Sequence, residues 1–401
     1  MKLPPLSKRP PTASALMLGL LVATVTSCHV TTLPPPAPSP VCPKLREPAV
    51  IPIVPEPKAP LCGLPAVYRR PEWPTSLGST SEQELAPAPA GSIALVVLPD
   101  TQYYTACSYS HLKNQGTFIA QERDRRHLLG AISLGDITDR NSDEEWAFAR
   151  QSLSPIPVDF PLMLTTGNHD TGDHGTANTR ESLLSKYFSE SWANESRALR
   201  AVMTPGRLEN AFYSLDAGNF RLGVLMLEWA PRRKTVDWAN QVLARNLDHR
   251  FIIATHAYLY DDSTRYDYAT RKNTQHWNPL EYPSAEDTLA EDASHDGEML
   301  WNALVRRHRN VFLVVSGHVL NQGAGRLTSR GDSGNVVHQL LTNYQMLDEG
   351  GFGYLLLLEF YPDGKTLHVK TYSPSLRLYS YASGQDYRLQ VEPPLFTTPG
   401  G

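Results

Sequence analysis

The chain has 401 residues, 41% of them apolar, which excludes a molecule too short to build its own core and leaves room for one large α/β domain or two ordinary ones. Its formal charge is -4, and setting aside the first 27 residues, whose only charges are Lys2, Lys8 and Arg9, leaves 34 basic against 41 acidic residues, a net of -7. An acidic chain gives no electrostatic reason to expect nucleic-acid binding, and four cysteines are too few for a disulfide scaffold.

Lys8 and Arg9 precede an apolar segment, residues 15–25, that is shorter than a transmembrane helix needs and suits the core of a signal peptide. The segment closes on Val25-Thr26-Ser27-Cys28, which resembles a bacterial lipobox. Residues 1–27 are therefore the expected leader, and Cys28 the expected lipidated first residue of an exported protein held by lipid to a membrane of the bacterial cell envelope. An ordinary signal peptide cleaved nearby is the alternative. Residues 28–90 are dense in proline, Pro34, Pro35 and Pro36 among them, and read as an extended spacer that cannot fold alone. Residues 61–77 could pack on the surface of the domain that follows. Cys42 and Cys62 flank part of the spacer and could pair, leaving Cys107 free.

The folded domain is expected over residues 91–393, with 394–401 as a tail. A near-continuous apolar run, Ile93 to Leu98, reads as a strand buried on both faces and ends in Asp100-Thr101-Gln102. A helix from about Gln115 to Leu129 leads to a second such strand, Ala131 to Leu134, which ends in Gly135-Asp136-Ile137-Thr138-Asp139-Arg140. A helix around Asp143 to Leu153 precedes the strand Phe160 to Thr166, which stops at Gly167-Asn168-His169-Asp170. Residues 171–210 are polar and read as a lid or an irregular excursion. Two strands then surround a turn at Ala217-Gly218-Asn219, and after a helix from Thr235 to Arg245 the strand Phe251 to Thr255 ends at His256. An insertion rich in Tyr, Asp and His covers residues 257–296. Beyond the helix Gly297 to Arg307, the strand Val311 to Val315 ends at Ser316-Gly317-His318, and three last strands, near 336–341, 354–360 and 367–372, close the domain. The basic runs at 232–234 and 306–309 fit solvated helix faces. Alternation of strand and helix indicates an α/β domain.

Five strand ends thus carry Asp100 with Gln102, Asp136 with Asp139 and Arg140, Asn168 with His169 and Asp170, then His256, then His318. Singly, such residues also fit helix caps, a core histidine or a surface ion pair. Together and in this order they resemble the calcineurin-like metallophosphoesterases, whose motifs run DxH, GDxxDR, GNHD, a later His after a strand, and GHxH. The resemblance spans Asp100 to His318 and implies a four-layer αββα sandwich with two mixed central sheets and its site at the strand ends.

It also implies hydrolysis of a phosphate ester by two divalent or trivalent metal ions (Fe, Mn or Zn) that bridge a hydroxide. Asp136 would bridge them; one would take Asn168, His256 and His318, the other Asp100 and Gln102. His169 would protonate the leaving oxygen or stabilise the charge on it, with Asp139 orienting and polarising its ring, and Arg140 would grip the phosphate. Two residues depart from the pattern: Gln102 replaces the histidine of DxH, and Leu320 the second histidine of GHxH. The second departure leaves one metal short of a ligand, which implies weaker occupancy there, or completion by water or by a neighbour such as Asn321, Gln322 or His338. The expected function is an exported phosphomonoesterase or phosphodiesterase; the alternative is a metal-containing binding lipoprotein of the same fold with weak or no turnover. Tyr103 and Tyr104, with Tyr258, Tyr260, Tyr266, Tyr268, His276 and Trp277 of the insertion, could form an aromatic wall around an organic substituent or simply pack on one another. Oligomeric state is not legible.

Overall fold

Fifteen strands form two mixed sheets in the computed structural model, which describes residues 76–81 and 85–396. The expected leader, Cys28, Cys42 and Cys62 lie outside the described residues. In chain order the strands are β1 (Thr80–Ser81), β2 (Ile93–Leu98), β3 (Leu128–Ser133), β4 (Leu162–Met163), β5 (Leu199–Val202), β6 (Ala211–Asp216), β7 (Arg221–Leu227) and β8 (His249–Thr255). They continue with β9 (Val311–Ser316), β10 (Ala324–Arg330), β11 (Val336–Thr342), β12 (Leu355–Phe360), β13 (Thr366–Ser373), β14 (Leu378–Ser380) and β15 (Asp386–Gln390).

One sheet runs β1-β14-β13-β12-β2-β3-β4, with β15 also paired to β13; the other runs β10-β11-β9-β8-β7-β6-β5. The most apolar runs take the central parallel positions, β2 beside β3 and β4 in the first sheet and β7, β8, β9 and β11 in the second. That placement follows from burial on both faces, which a period-two polar strand would not tolerate. Along β7, Leu222, Val224 and Met226 join the core that also holds the strands of the first sheet, while Leu225 and Leu227 face a second core built with the helix Arg233–Arg245. Helices His111–Glu122 and Asp143–Ser152 add Leu112, Ile119, Trp146 and Ala149 to the first core. The result is the αββα layering expected from the sequence.

Several boundaries differ from expectation. The helix predicted from Gln115 begins at His111 and stops at Glu122, and the strand predicted over 160–166 is only Leu162–Met163. Residues 171–210 are not a separate lid, because β5 pairs with β6 and Arg180 donates to the carbonyls of Trp229 and Ala230 at 2.7 and 3.0 Å. The chain also joins the fold upstream of residue 91: Leu77 and Leu85 are buried and β1 pairs with β14. No helix among the described residues is long and apolar enough to cross a membrane.

Candidate metal centre

The two sheets bring the C-terminal ends of β2, β3, β4, β8 and β9 to one place, and each end supplies a buried polar group: Asp100, Asp136, Asn168, His256 and His318. Two backbones turn sharply to do so, since Asp136 and His318 have φ of +47° and +76°, the left-handed region that non-glycine residues seldom adopt. Neighbouring chain must come close. A Cβ on Gly167 would lie 2.1 Å from Asp136 Oδ1, and one on Gly317 would lie 2.2 Å from Asp100 Oδ1, so glycine is required at both.

Two carboxylates outside the metal set hold these loops. Asp170 accepts from the backbone N–H groups of Gly167, Ile137 and Thr138 at 3.0, 3.0 and 2.8 Å, tying the 167–170 turn to the 135–140 turn. Glu145 accepts from the N–H groups of Asp139 and Arg140 at 3.1 and 2.7 Å, and from Arg140 Nε at 2.9 Å. The sequence reading missed Glu145, although Ser142 followed by Glu145 has the spacing of a capping box, and Ser142 does cap that helix.

Around His256 the polar atoms do not satisfy one another. His256 Nε2 lies 3.1 Å from Asn168 Oδ1, 3.2 Å from Asp136 Oδ2 and 3.2 Å from His318 Nδ1. The far nitrogen of each ring faces a carbonyl, His256 Nδ1 toward Leu134 at 2.9 Å and His318 Nε2 toward Trp277 at 2.8 Å, so each neutral ring turns its lone pair inward. One proton on His256 Nε2 could serve only one of the three acceptors around it; a cation serves all of them. The residues therefore fit a metal ion, with Asp136, Asn168, His256 and His318 as its ligands.

The charges in the pocket also call for a cation, since the positive charge that Asp136 and Asp100 raise among the side chains is a proton on His256, which a metal ion would replace. Burial drives His318 down to about 3, with His256 adding to the effect, so this ring stays neutral. Burial also opposes charge on His256 and Asp136, but their mutual attraction wins, helped by Asp100 for His256 and by His169 for Asp136: His256 rises to about 9 and Asp136 falls to about 2. Asp100 is pushed up to about 7, first by burial and then by the nearby Asp136, against the pull of His256. Two carboxylates sharing so enclosed a space are costly without added positive charge.

The half of the site around Asp100 is less complete. Gln102 is buried, with its Oε1 lacking a hydrogen-bond partner, while Leu320 offers no donor. The residues expected to complete it turn elsewhere: Asn321 donates to Tyr260 Oη at 3.2 Å, the Gln322 backbone N–H faces Asp261, and His338 is held between Thr328 and the Gln390 carbonyl. Instead Asn343, directly after β11, donates to Asp100 Oδ2 at 3.0 Å. Sequence reading missed Asn343, although it is a sixth polar residue at a strand end.

At the rim, His169 is partly exposed, at 35% of its side chain. Its Nδ1 donates to the Asp139 carbonyl at 2.9 Å, with the Asp139 carboxylate at 3.6 Å, so the backbone rather than the carboxylate makes the nearer contact. Arg140 is anchored by Glu145 and still 57% exposed. The aromatic residues divide. Tyr104, Tyr258 and Tyr266 are buried at 1% or less and belong to the cores, with the Tyr266 ring 6.2 Å from that of His318, so they are not a wall facing substrate. His276 is exposed and Trp277 half-buried. Trp229, not singled out from sequence, packs against both metal-site rings at 5.5 and 5.1 Å.

The family model described as Calcineurin-like phosphoesterase matches residues 120–322, half of the chain, from before Asp136 to just beyond His318. The uncharacterized protein YvnB of Bacillus subtilis is 28% identical over 316 residues; the match covers 76% of this chain but only 22% of that relative's length. Among solved structures, the Plasmodium protein GAP50, an anchor in the inner membrane complex, is 11% identical with a TM-score of 0.39, over 75% of this chain and 88% of that one. The NAD nucleotidase NadN of Haemophilus influenzae is 11% identical with a TM-score of 0.36, over 74% of this chain and 53% of that one.

Proposed function

The chain belongs to the calcineurin-like phosphoesterase family, and from that premise we propose that it is an exported, metal-dependent hydrolase of phosphomonoesters or phosphodiesters. The observation that carries the proposal is the convergence of Asp136, Asn168, His256 and His318 on one buried point, with His169 and Arg140 at its open side. Metal ions held there would supply Lewis acidity toward phosphate oxygens and make water more acidic.

The remaining work falls to the chain itself. His169, with Nδ1 committed to the Asp139 carbonyl, presents Nε2 to a leaving oxygen and can deliver a proton to it. Burial opposes a proton on that ring, but Asp136 and Asp139 outweigh it and hold its pKa above the ordinary 6.5, which favours the acid form. Arg140 carries a permanent positive charge on a planar fork, and Glu145 steadies its Nε, so it can take phosphate oxygens with little loss of side-chain freedom.

Release of nitrophenol from p-nitrophenyl phosphate or its bis-ester tests the proposal. Chelation is expected to abolish it, and Asp136→Asn to lower it by roughly 100-fold or more, because the shared ligand is lost. Turnover indifferent to that substitution would reject the assignment. A second reading, a binding protein with the same fold and little turnover, is favoured by the missing ligand at Leu320; metal retention without hydrolysis of either ester would select it. Export is supported by the apolar leader and by Cys28. Cys28→Ser is expected to move the protein out of the membrane fraction, and a variant that stays there would remove the lipid anchor from the proposal.

A further inference from the structure

The two halves of the centre differ in the chemistry of their donors. Around His256 there are two imidazoles, an amide oxygen and a carboxylate, a mixed set that suits Zn, Fe or Mn. The other half has only oxygen donors by residue type: the Asp100 carboxylate, with Asp136 close enough to repel it, and the amide of buried Gln102, whose Nε2 donates to Asp139 Oδ1 at 3.5 Å. Gln102 Oε1 is buried without a hydrogen-bond partner, an acceptor still open.

Asp100 is already engaged. The His318 N–H approaches its two oxygens at 3.1 and 3.0 Å, and Asn343 donates to Oδ2 at 3.0 Å. That Asn343 presents N–H and not C=O follows from its other end, because the Gln345 N–H donates to Asn343 Oδ1 at 3.0 Å. The loop carrying Leu320 closes on the same place. Its first residue, Gly317, lies against Asp100, and the carbonyl of its last, Gly323, accepts from the Asn343 N–H at 2.7 Å.

We propose that Asn343 holds the Asp100 carboxylate in place of the ligand missing at position 320, so that the centre keeps one ion permanently and takes the second, a hard divalent cation, reversibly. The proposal rests on reading this pocket as a metal centre. An all-oxygen set short of a full shell suits a hard ion that retains several waters, and such an ion competes with the Asn343 N–H for the electron density of Oδ2. Asn343 is thus a positioning residue for the empty state of that half and a brake on filling it.

The test counts ions and does not depend on turnover. Protein is desalted and its retained metal measured by elemental analysis, and MnCl2 is then titrated while the electron paramagnetic resonance signal of free Mn2+ is followed. One retained ion per chain is expected, with a further Mn2+ bound at least about 100-fold more weakly. Asn343→Asp exchanges the N–H donor for a carboxylate, and Leu320→His restores an imidazole to the loop. Each is expected to tighten the second ion by roughly 10-fold or more. Two ions retained by the unaltered protein, or a second affinity unmoved by both substitutions, would overturn the proposal. A protein that retains no ion and cleaves no ester would overturn the reading of the centre itself, a distinct outcome.

Discussion

His169 shows how much of the chemistry is set by contacts one atom away from the reacting group. Because Nδ1 donates to a backbone carbonyl, no side-chain substitution at position 139 removes that contact, and the Asp139 carboxylate at 3.6 Å acts mainly through its charge. Together with Asp136 it raises the affinity of the ring for a proton against the effect of burial. The role of an acid can be separated from that of a structural ring by varying the leaving group. An alkoxide needs a proton as it departs, whereas p-nitrophenolate departs nearly as well without one. His169→Asn is therefore expected to lower kcat on an alkyl phosphate by roughly 100- to 10,000-fold, and on p-nitrophenyl phosphate by clearly less. Equal losses on the two esters would show that the ring only shapes the site.

Asp170 and Glu145 extend the same point to elements. The strands deliver metal-binding groups only because the turns beyond them are fastened to one another, and both fasteners are carboxylates that accept backbone N–H bonds and touch no metal site directly. Such groups hide in a sequence, where a carboxylate in a motif reads as a ligand and one in a helix's first turn reads as a cap. The central strands were legible because residues 93–98 and 311–315 are apolar throughout, which only a doubly covered position explains. The edge strand Ala324–Arg330 was not, since exposed Arg326 and Arg330 alternate along it as they do on a strand that must stay soluble on one side. The five strand-end residues that converge, Asp100, Asp136, Asn168, His256 and His318, were legible from their order. Asn343 and the part played by the Trp277 carbonyl were not, because one acts through an amide N–H and the other through the backbone, and neither function has a sequence signature.

For the molecule as a whole, the segment before Gly91 decides how much of the chain the domain needs. Composition assigns that segment to a spacer, and its proline content hides two buried leucines, Leu77 at 6% and Leu85 at 5% exposure. Between them, β1 extends the first sheet past β14, and Ser380 Oγ donates to the Leu77 carbonyl at 3.0 Å. Further along, Arg126, itself buried, donates to the carbonyls of Leu85 and Ala86 at 2.5 and 3.2 Å while its Nε pairs with Glu122 at 2.7 Å. A chain begun at Gly91 would lose both leucines, each worth roughly 1.5–3 kcal/mol of burial, and would leave part of the Arg126 guanidinium without acceptors beside buried Glu359. Unfolding of such a chain is expected about 10 °C below that of a chain begun at residue 76, measured by calorimetry on the two proteins under the same metal loading. Because the metal-binding strand ends lie beyond residue 91, both proteins are expected to retain the same number of ions. Coincident transitions would mean that the segment rests on the sheet without supporting it, and would return the domain boundary to residue 91.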